Sequence, residues 1–458
     1  MEQDTICAIA TATGGAVGIV RLSGPRAIEM AGKIVRTASG KPLDKARAYS
    51  LSYAKVMDNE EILDEVLVSV FHAPRSYTGE DSVEIACHGS RYILQRVLSL
   101  LIDRGCRLAE PGEFTKRAFV SGKMDLTQAE AVADLVASTS RATHNLAMSQ
   151  MRGGFSEELR TLRNKLLELT SLLELELDFS DHEDVEFADR SQMLGLCEEM
   201  RKMLLRLTDS FSVGNAIKNG IPTALVGETN VGKSTLLNAL LGEEKALVSD
   251  ISGTTRDAIE DTVLIGGIQF RFIDTAGLRQ TEDVVESMGI ERTFEKINQA
   301  DIILWMVDAT RLEETPSWIT EKILTLSKGK QLILVINKED KNEKASFPYP
   351  LPKSVSVISI SAKKKTHVQE LRQLLLEAAD IPKISQKDVI VTNMRHYQAL
   401  THALECIERV QSGLQSGLSG DLVSQDSREC IHHLSDIVGE VTTDEVLGNI
   451  FSHFCIGK

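Results

Sequence analysis

Residues 227–234 read Gly-Glu-Thr-Asn-Val-Gly-Lys-Ser, a set of residue types whose spacing suits phosphate chemistry. Glycines let a loop wrap back so that its backbone N–H groups and the next helix N-terminus converge on an anion. In such a loop Lys233 spans the β- and γ-phosphates of a nucleotide, and the Ser234 hydroxyl faces Mg²⁺. Three more elements follow in chain order. Asp274-Thr275-Ala276-Gly277 offers a carboxylate to the magnesium shell through water and a glycine N–H to the γ-phosphate. Asn337-Lys338-Glu339-Asp340 brings a carboxylate, Asp340, able to accept from both N1–H and the exocyclic amine of guanine. Adenine lacks that pair of donors, and a buried carboxylate left unpaired costs several kcal/mol, so ATP is expected to be rejected. Ser361-Ala362-Lys363 closes the base pocket. Each tetrapeptide alone reads as a turn. Four in this order imply guanine-nucleotide binding and hydrolysis. One part is missing: where small signalling GTPases place a water-orienting Gln after the D-x-x-G glycine, this chain has Leu278. No arginine finger is legible either, so the positive charge and the water-positioning group must come from elsewhere.

These motifs need strand ends to present them. From about 220 to 380 apolar runs at 223–226, 269–273, 302–307, 332–336 and 355–360 alternate with helical segments. That alternation predicts a parallel sheet covered on both faces by helices, with every motif at the carboxyl end of a strand. The 235–241 segment is the helix opened by the phosphate loop. On the amino side, strand-like runs at 19–22, 66–71 and 83–86, with an amphipathic helix at 92–103, predict an α+β domain ending near Glu110-Pro111-Gly112. From 125 to 213 the period becomes helical. Leu159, Leu162, Leu166, Leu169 and Leu173 fall on one face, and Met193, Leu196, Met200, Leu204, Leu207 and Phe211 on another. After 385 Leu400, Leu404, Ile407 and Leu414 form a further stripe, and Thr442 with Glu445 reads as a capping box for a last helix through Val446, Ile450 and Phe451. The expected division is 1–120 (α+β), 121–215 (helical), 216–382 (α/β) and 383–458 (helical). The α/β segment would be an insertion between two parts of one bundle.

Bulk properties narrow the setting. A chain of 458 residues calls for several domains. Its start, Met1-Glu2-Gln3-Asp4, carries acid where a signal peptide carries base, and no apolar run reaches the roughly 18 residues of a membrane span. Seven scattered cysteines without a C-x-x-C pair indicate reduced thiols in the cytoplasm rather than disulfides or a zinc site. The formal charge of −15 excludes a surface that is basic throughout. The acidic stretch 178–186, with His182 inside it, reads as a solvated loop before it reads as a metal site. Gly14-Gly15-Ala16-Val17-Gly18 has the wrong spacing for a dinucleotide fingerprint.

Gly253-Thr254-Thr255-Arg256-Asp257, Asp274-Thr275-Ala276-Gly277-Leu278-Arg279 and the terminal Phe454-Cys455-Ile456-Gly457-Lys458 together resemble the MnmE (TrmE) family of tRNA modification GTPases. So do Ser76-Tyr77-Thr78-Gly79-Glu80-Asp81 and Pro111-Gly112-Glu113-Phe114, so the resemblance runs the whole length. It implies a multidomain fold: an N-terminal α+β folate-binding-like domain that dimerises, a discontinuous helical bundle and an inserted Ras-like P-loop domain. It implies that a potassium ion, held by Asn230 with Ser249, Ile251 and Thr254, stands in for an arginine finger. Asn230 otherwise reads as a loop residue tolerant of positive φ. By the same resemblance the nucleotide is lined by Asn230, Val231, Gly232, Lys233, Ser234 and Thr235, by Ser249, Asp250, Ile251, Ser252, Gly253, Thr254 and Thr255, and by Asp274–Gly277, with Thr255 the second magnesium hydroxyl. Glu286 matches a general base acting through water, although spacing alone makes it a solvated helix-start acid.

Arg21, Glu84, Lys123 and Lys458 match residues for 5-formyltetrahydrofolate, a one-carbon carrier; each alone reads as a surface charge. Cys455 matches a cysteine of the modification chemistry, with a small buried hydrophobe as the plain alternative. Prenylation is excluded, because Gly457 is not aliphatic and Lys458 is not a usual last residue. The partners implied are GTP and GDP, a second copy of the chain, and an MnmG (GidA)-like flavoprotein that carries FAD in a heterotetramer. tRNA is met mainly through that complex. Together they place a carboxymethylaminomethyl or aminomethyl group at C5 of the wobble uridine. Two departures from the family stand out: Glu228-Thr229 replaces a usual Arg-Pro, and Ser249 a usual Thr. The competing class is a GTP-dependent scaffold or ribosome-assembly switch, indifferent to potassium and folate. The lack of a KH or RRM signature weighs against direct RNA binding as its main task.

Overall fold

The computed structural model describes residues 4–178, 190–241, 261–273, 294–295, 297–343, 345–382, 385, 388–440, 444–452 and 454–457. The chain forms two compact units, one of residues 1–136, 150–203 and 399–458, the other of 137–149 and 204–398.

The first unit contains a seven-stranded sheet in the order β3-β4-β5-β6-β2-β1-β7. The strands are β1 (Ile6–Ile9), β2 (Val17–Ser23), β3 (Val35–Thr37), β4 (Ser50–Asp58), β5 (Glu61–Phe71), β6 (Ser82–His88) and β7 (Arg107–Leu108). Period-2 alternation sets which way each side chain faces. Val66, Val68 and Val70 of β5 are buried with Ala54 and Val56 of β4, and the helices Ala27–Ile34 and Arg91–Asp103 cover that face. The opposite phase, Leu51, Tyr53 and Leu67, is exposed, and so is Ile62, which pairs with Met57 beyond a bulge in the β4–β5 register. All three predicted strands and the 92–103 helix are present.

In the helical part of this unit, the helix Gly154–Asp178 buries Leu159, Leu162, Leu166, Leu169 and Leu173, as the spacing predicts. It packs on the helix Gly420–Val438, where buried Thr170 and Ser427 share a hydroxyl hydrogen bond of 2.7 Å. Two predicted stripes shift slightly. In the helix Arg190–Asn219 the fully buried position is Cys197, with Leu196 half-buried. In the helix Met394–Ser416, Ala403 and Cys406 are buried and Leu404 is half-buried. Close helix packing takes small side chains at the contact, which a count of large apolar residues overlooks. Leu447 and Phe451 anchor the helix Asp444–Ser452. The predicted acidic loop begins one residue late, since Asp178 ends the helix Gly154–Asp178; residues 179–186, the Thr442 cap and the Glu445 side chain lie outside the described residues.

The second unit carries a six-stranded sheet, β13-β12-β11-β8-β10-β9. Its strands are β8 (Ile221–Gly227), β9 (Asp261–Ile265), β10 (Ile268–Phe272), β11 (Ile302–Asp308), β12 (Gln331–Asn337) and β13 (Ser356–Ile360). Five strands run parallel; β9 is antiparallel to β10. The all-parallel expectation therefore needs correcting at one edge. Gly266 and Gly267, at φ +58° and +83°, form a tight hairpin there, a turn that glycines make without steric cost. The central β11 and β12 are buried on both faces, but edge strand β13 is not, and its Val357 is 49% exposed. Among the described residues no helix is long and apolar enough to cross a membrane.

An ion network fastens the first unit. Glu113, at the start of the helix Glu113–Val120, accepts from Arg107 at 2.5 Å and from Arg117 at 3.0 Å. Arg117 also bridges to Glu80 at 3.2 Å and to Asp4 at 2.5 Å. Burial pushes the Glu113 carboxyl up, but hydrogen bonds from Arg107, the Glu110 N–H and Arg117 outweigh it and hold it below the ordinary glutamate value of 4.5. Its contribution is thus complete above pH 4.5 and disappears as pH falls through the lowered value. Glu113→Gln should lower stability near pH 7 by about 1–2 kcal/mol. Thermal melts at pH 7 and at about pH 3.5 should differ less in this variant than in the parent chain.

Candidate functional site

β8 runs into the phosphate-type loop at Gly227, whose φ of +152° brings its backbone against β11; a Cβ there would sit 2.4 Å from the Met306 carbonyl. Asn230 and Gly232 also have positive φ, +61° and +105°. The helix Lys233–Leu241 then begins, with Leu236, Leu237 and Leu240 in the core and Ser234 and Thr235 exposed at its start. Lys233 reaches back over the loop and donates to the carbonyls of Gly227 (2.5 Å) and Glu228 (2.7 Å). Its ammonium is therefore already held on the loop. Glu228 and Thr229, which stand in place of the family's usual Arg-Pro, are exposed, and Ser249 lies outside the described residues.

β12 ends at Asn337, which is 3% exposed. Its amide nitrogen donates to the Val231 carbonyl at 2.8 Å, and its oxygen accepts from the Ala362 N–H at 3.0 Å. One side chain therefore ties the phosphate loop to the loop after β13. Gly232 makes this possible, since a Cβ at that position would lie 2.3 Å from the Asn337 nitrogen. Lys338, in the left-handed region, donates to the Asn230 carbonyl at 2.9 Å and pairs with Asp308 at 2.5 Å.

Asp340 accepts from the Ser361 hydroxyl at 2.7 Å, with Lys364 3.8 Å away. The Ser361 hydroxyl holds the Asp340 carboxyl below the usual aspartate range, so it is an ionised acceptor at neutral pH. Lys363 is exposed beside it. The predicted residues Asn230–Thr235, Asn337, Lys338, Asp340, Ser361 and Ala362 are thus brought to one end of the sheet. Ser249–Thr255, Asp274–Gly277, Glu286 and Lys458 lie outside the described residues.

Sequence reading missed Asp308. It ends β11 directly beside Asn337 in register. Burial pushes its carboxyl up and the Lys338 ammonium pulls it down, with the net result below the ordinary aspartate value. An acid at the carboxyl end of a buried strand was the available signal.

In the other unit Arg21 and Glu84 are cross-strand partners of β2 and β6 and form an ion pair of 2.8 Å. The Arg21 guanidinium lies 5.7 Å from the ring centres of both Tyr77 and Phe114, and it donates to the Gly457 carbonyl at 3.3 Å. The C-terminal segment is thereby seated on the N-terminal sheet. Gly457 is required for the approach, since a Cβ would meet the Ile9 carbonyl at 2.6 Å. Lys123 follows the helix Glu113–Val120, its stem near Gly79. Cys455 is exposed, whereas the other six cysteines are buried, so the reading of Cys455 as a small core hydrophobe does not hold.

A sheet of five parallel strands with one antiparallel edge, carrying G-x-x-x-x-G-K-S between its first strand and helix, N-K-x-D after β12 and S-A-K after β13, defines a P-loop guanine-nucleotide hydrolase. Two family models match, the MnmE helical domain over residues 126–455 and the GTP-binding protein TrmE N-terminus over residues 5–123. The chain is 62% identical to the tRNA modification GTPase MnmE of Bacteroides fragilis and 60% to that of Bacteroides thetaiotaomicron, in both cases over 100% of each chain. It is 50% identical to the same protein of Flavobacterium johnsoniae, again over the full length of both. The chain belongs to the MnmE family of tRNA modification GTPases.

Replacing Asn337 by Ala leaves the Val231 carbonyl and the Ala362 N–H without that partner, a cost of about 2–3 kcal/mol at the site. Fluorescent GDP titration should show affinity for Asn337→Ala reduced at least about thirtyfold, the equivalent of roughly 2 kcal/mol. Gly232→Ala should bind no measurable nucleotide, because the methyl group collides with the Asn337 amide.

Proposed function

We propose that this chain hydrolyses GTP as the switch of a wobble-uridine modification complex, with hydrolysis stimulated by potassium. The observation that carries the nucleotide reading is the convergence of Lys233, Asn337, Asp340 and Ser361 at one end of the sheet. In this reading Asp340 accepts from N1–H and the amine of guanine while Ser361 orients the carboxylate. Lys233 exchanges its loop carbonyls for the phosphates. Ser234 and Thr255 would hold Mg²⁺. Asn230, with Ser249, Ile251 and Thr254, would hold potassium. Asn230 suits that role, being exposed with its backbone braced by Lys338. These ions, when bound, supply positive charge where negative charge develops between the β- and γ-phosphates. Glu286 would orient the attacking water, a role Leu278 cannot take. Asp250, Ser252, Gly253 and Asp274–Gly277 would complete the lining.

The division of labour we propose follows the segments 1–120, 121–215, 216–382 and 383–458. The first would dimerise and bind 5-formyltetrahydrofolate, a source of one-carbon units. Arg21, Glu84, Lys123 and Lys458 would hold that group, and the half-buried Arg21–Glu84 pair beside the Tyr77 ring suits a flat heterocycle with a polar edge. The outward face of β4 and β5 supports dimerisation. Leu51, Tyr53, Ile62 and Leu67 are 43–63% exposed there, with Tyr53 directly opposite Leu67. Cys455, exposed on the docked C-terminal segment, would serve the modification step. An MnmG-like flavoprotein would supply FAD, and tRNA would be met through the joint complex, in the cytoplasm. Closing of the two nucleotide segments in the GTP state would transmit the switch to the helical bundle.

GTP turnover measured in potassium and in sodium at equal ionic strength tests the catalytic reading. At least about tenfold faster turnover in potassium is expected, the equivalent of ~1.4 kcal/mol of transition-state stabilisation. Equal rates would transfer support to the scaffold class. Leu67→Glu should convert a dimer to a monomer in light scattering without lowering GDP affinity.

A further inference from the structure

We propose that the helices Met394–Ser416 and Gly420–Val438 carry a site for a divalent transition cation of the zinc type, formed by Cys406, Glu429 and His433 with His402 as a fourth ligand. The thiol, one carboxylate oxygen and one ring nitrogen of the first three lie within 4.8 Å of one another. Glu429 Oε1 and His433 Nε2 are 3.8 Å apart. Metal–ligand bonds of about 2.0–2.3 Å in a tetrahedron place neighbouring ligand atoms roughly 3.3–3.8 Å apart, so side-chain rotations would bring these three groups to ligand spacing. His402 stands four residues before Cys406, and Glu429 four before His433, so each helix offers two groups on one face. The rings of His402 and His433 are stacked with centres 5.2 Å apart, while His402 Nδ1 pairs with Glu405 at 3.5 Å, so His402 would have to leave Glu405 to serve as the fourth donor.

A thiolate, imidazoles and a carboxylate select zinc-like ions over magnesium or calcium, which take oxygen ligands. The site is therefore different in chemistry from anything that serves GTP. Arg409 is the present cation of the cluster, donating to the Cys406 sulfur at 3.2 Å and to Glu429 at 2.6 Å. It has a second anchor in Asp426, whose carboxylate accepts from Nε at 2.8 Å. On metal entry the guanidinium would retire to Asp426 while the Cys406 thiol releases its proton to solvent. The bound ion would cross-link the two helices and stabilise their packing.

The test uses the full-length chain carrying Cys455→Ser, which removes the exposed thiol, titrated anaerobically with Co²⁺ in excess Mg²⁺. A thiolate-to-cobalt charge-transfer band with intense visible bands of tetrahedral cobalt, displaced by Zn²⁺, is expected. Cys406→Ala should abolish the charge-transfer band. His433→Ala should weaken Co²⁺ binding at least about tenfold while leaving that band in place. Absence of both bands in the starting chain, or their persistence in Cys406→Ala, overturns the proposal. Should Cys406→Ala fail to fold, His433→Ala decides, because its side chain is only 26% exposed yet not in the core; unchanged Co²⁺ affinity in that variant overturns the site.

Discussion

The nucleotide end of the second unit depends on one buried amide. Asn337 spends both halves of its side chain on backbone, donating to Val231 in the phosphate loop and accepting from Ala362 after β13. Those loops are more than a hundred residues apart in sequence, and no ladder hydrogen bond joins them. In a buried setting such hydrogen bonds are costly to lose, so the bridge fixes the separation of the two segments as well as stabilising it. The phosphate-type loop and the segment after β13 are thus held at a set separation, and in the proposed reading, where one grips phosphate and the other reads guanine, that is the condition for discrimination by geometry.

The constraint propagates outward through residues that each have a second partner. Gly232 lacks a Cβ because the amide occupies that space. Lys338, next to Asn337, takes the left-handed backbone that lets it reach both Asn230 and Asp308. Asp308 ends β11 as Asn337 ends β12, so two adjacent strand ends cooperate, one fixing a loop and the other fixing the lysine that braces it. Strand carboxyl ends are where such folds place ligands, and here they also place the supports.

Much of this was legible in the sequence. The phosphate-loop, N-K-x-D and S-A-K motifs follow strands β8, β12 and β13 as expected, and the helical stripe from Leu159 to Leu173 lies buried as its spacing requires. What was not legible has particular physical causes. The N-K-x-D motif leads one to expect Asn337 at the base, yet its staple to Val231 and Ala362 is invisible because spacing says nothing of a partner on another strand. β9 went unread because helix alternation masked a Gly-Gly hairpin whose signal was present at Gly266 and Gly267. Leu196 and Leu404 were ranked above Cys197 and Ala403 because large residues dominate a hydropathy count, whereas closely packed helices bury the small ones. The Arg21–Glu84 pair needed the register of β2 on β6, and the seat of Gly457 needed the path of the whole chain. The loops after 241 and 273 lie outside the described residues, so their motifs rest on the sequence alone.

The brace at Asn230 has a thermodynamic consequence for the proposed chemistry. Its carbonyl is held by Lys338, the residue that follows the amide staple, while its side chain is the proposed potassium ligand. A cation on that side chain and a guanine packed against the Lys338 segment would then act on the same short piece of backbone. Whatever free energy one contributes to ordering that piece, the other need not supply again, and the coupling must be equal in both directions. Ordering from the base side and charge stabilisation at the phosphate side are in this view two ends of one lever, with Lys338 and Asp308 as its fulcrum. Asp308, at the end of β11, acts in this arrangement through the lysine it pairs with: without Asp308 the lysine would keep its charge but lose its direction, and the phosphate loop would keep its glycines but lose its brace.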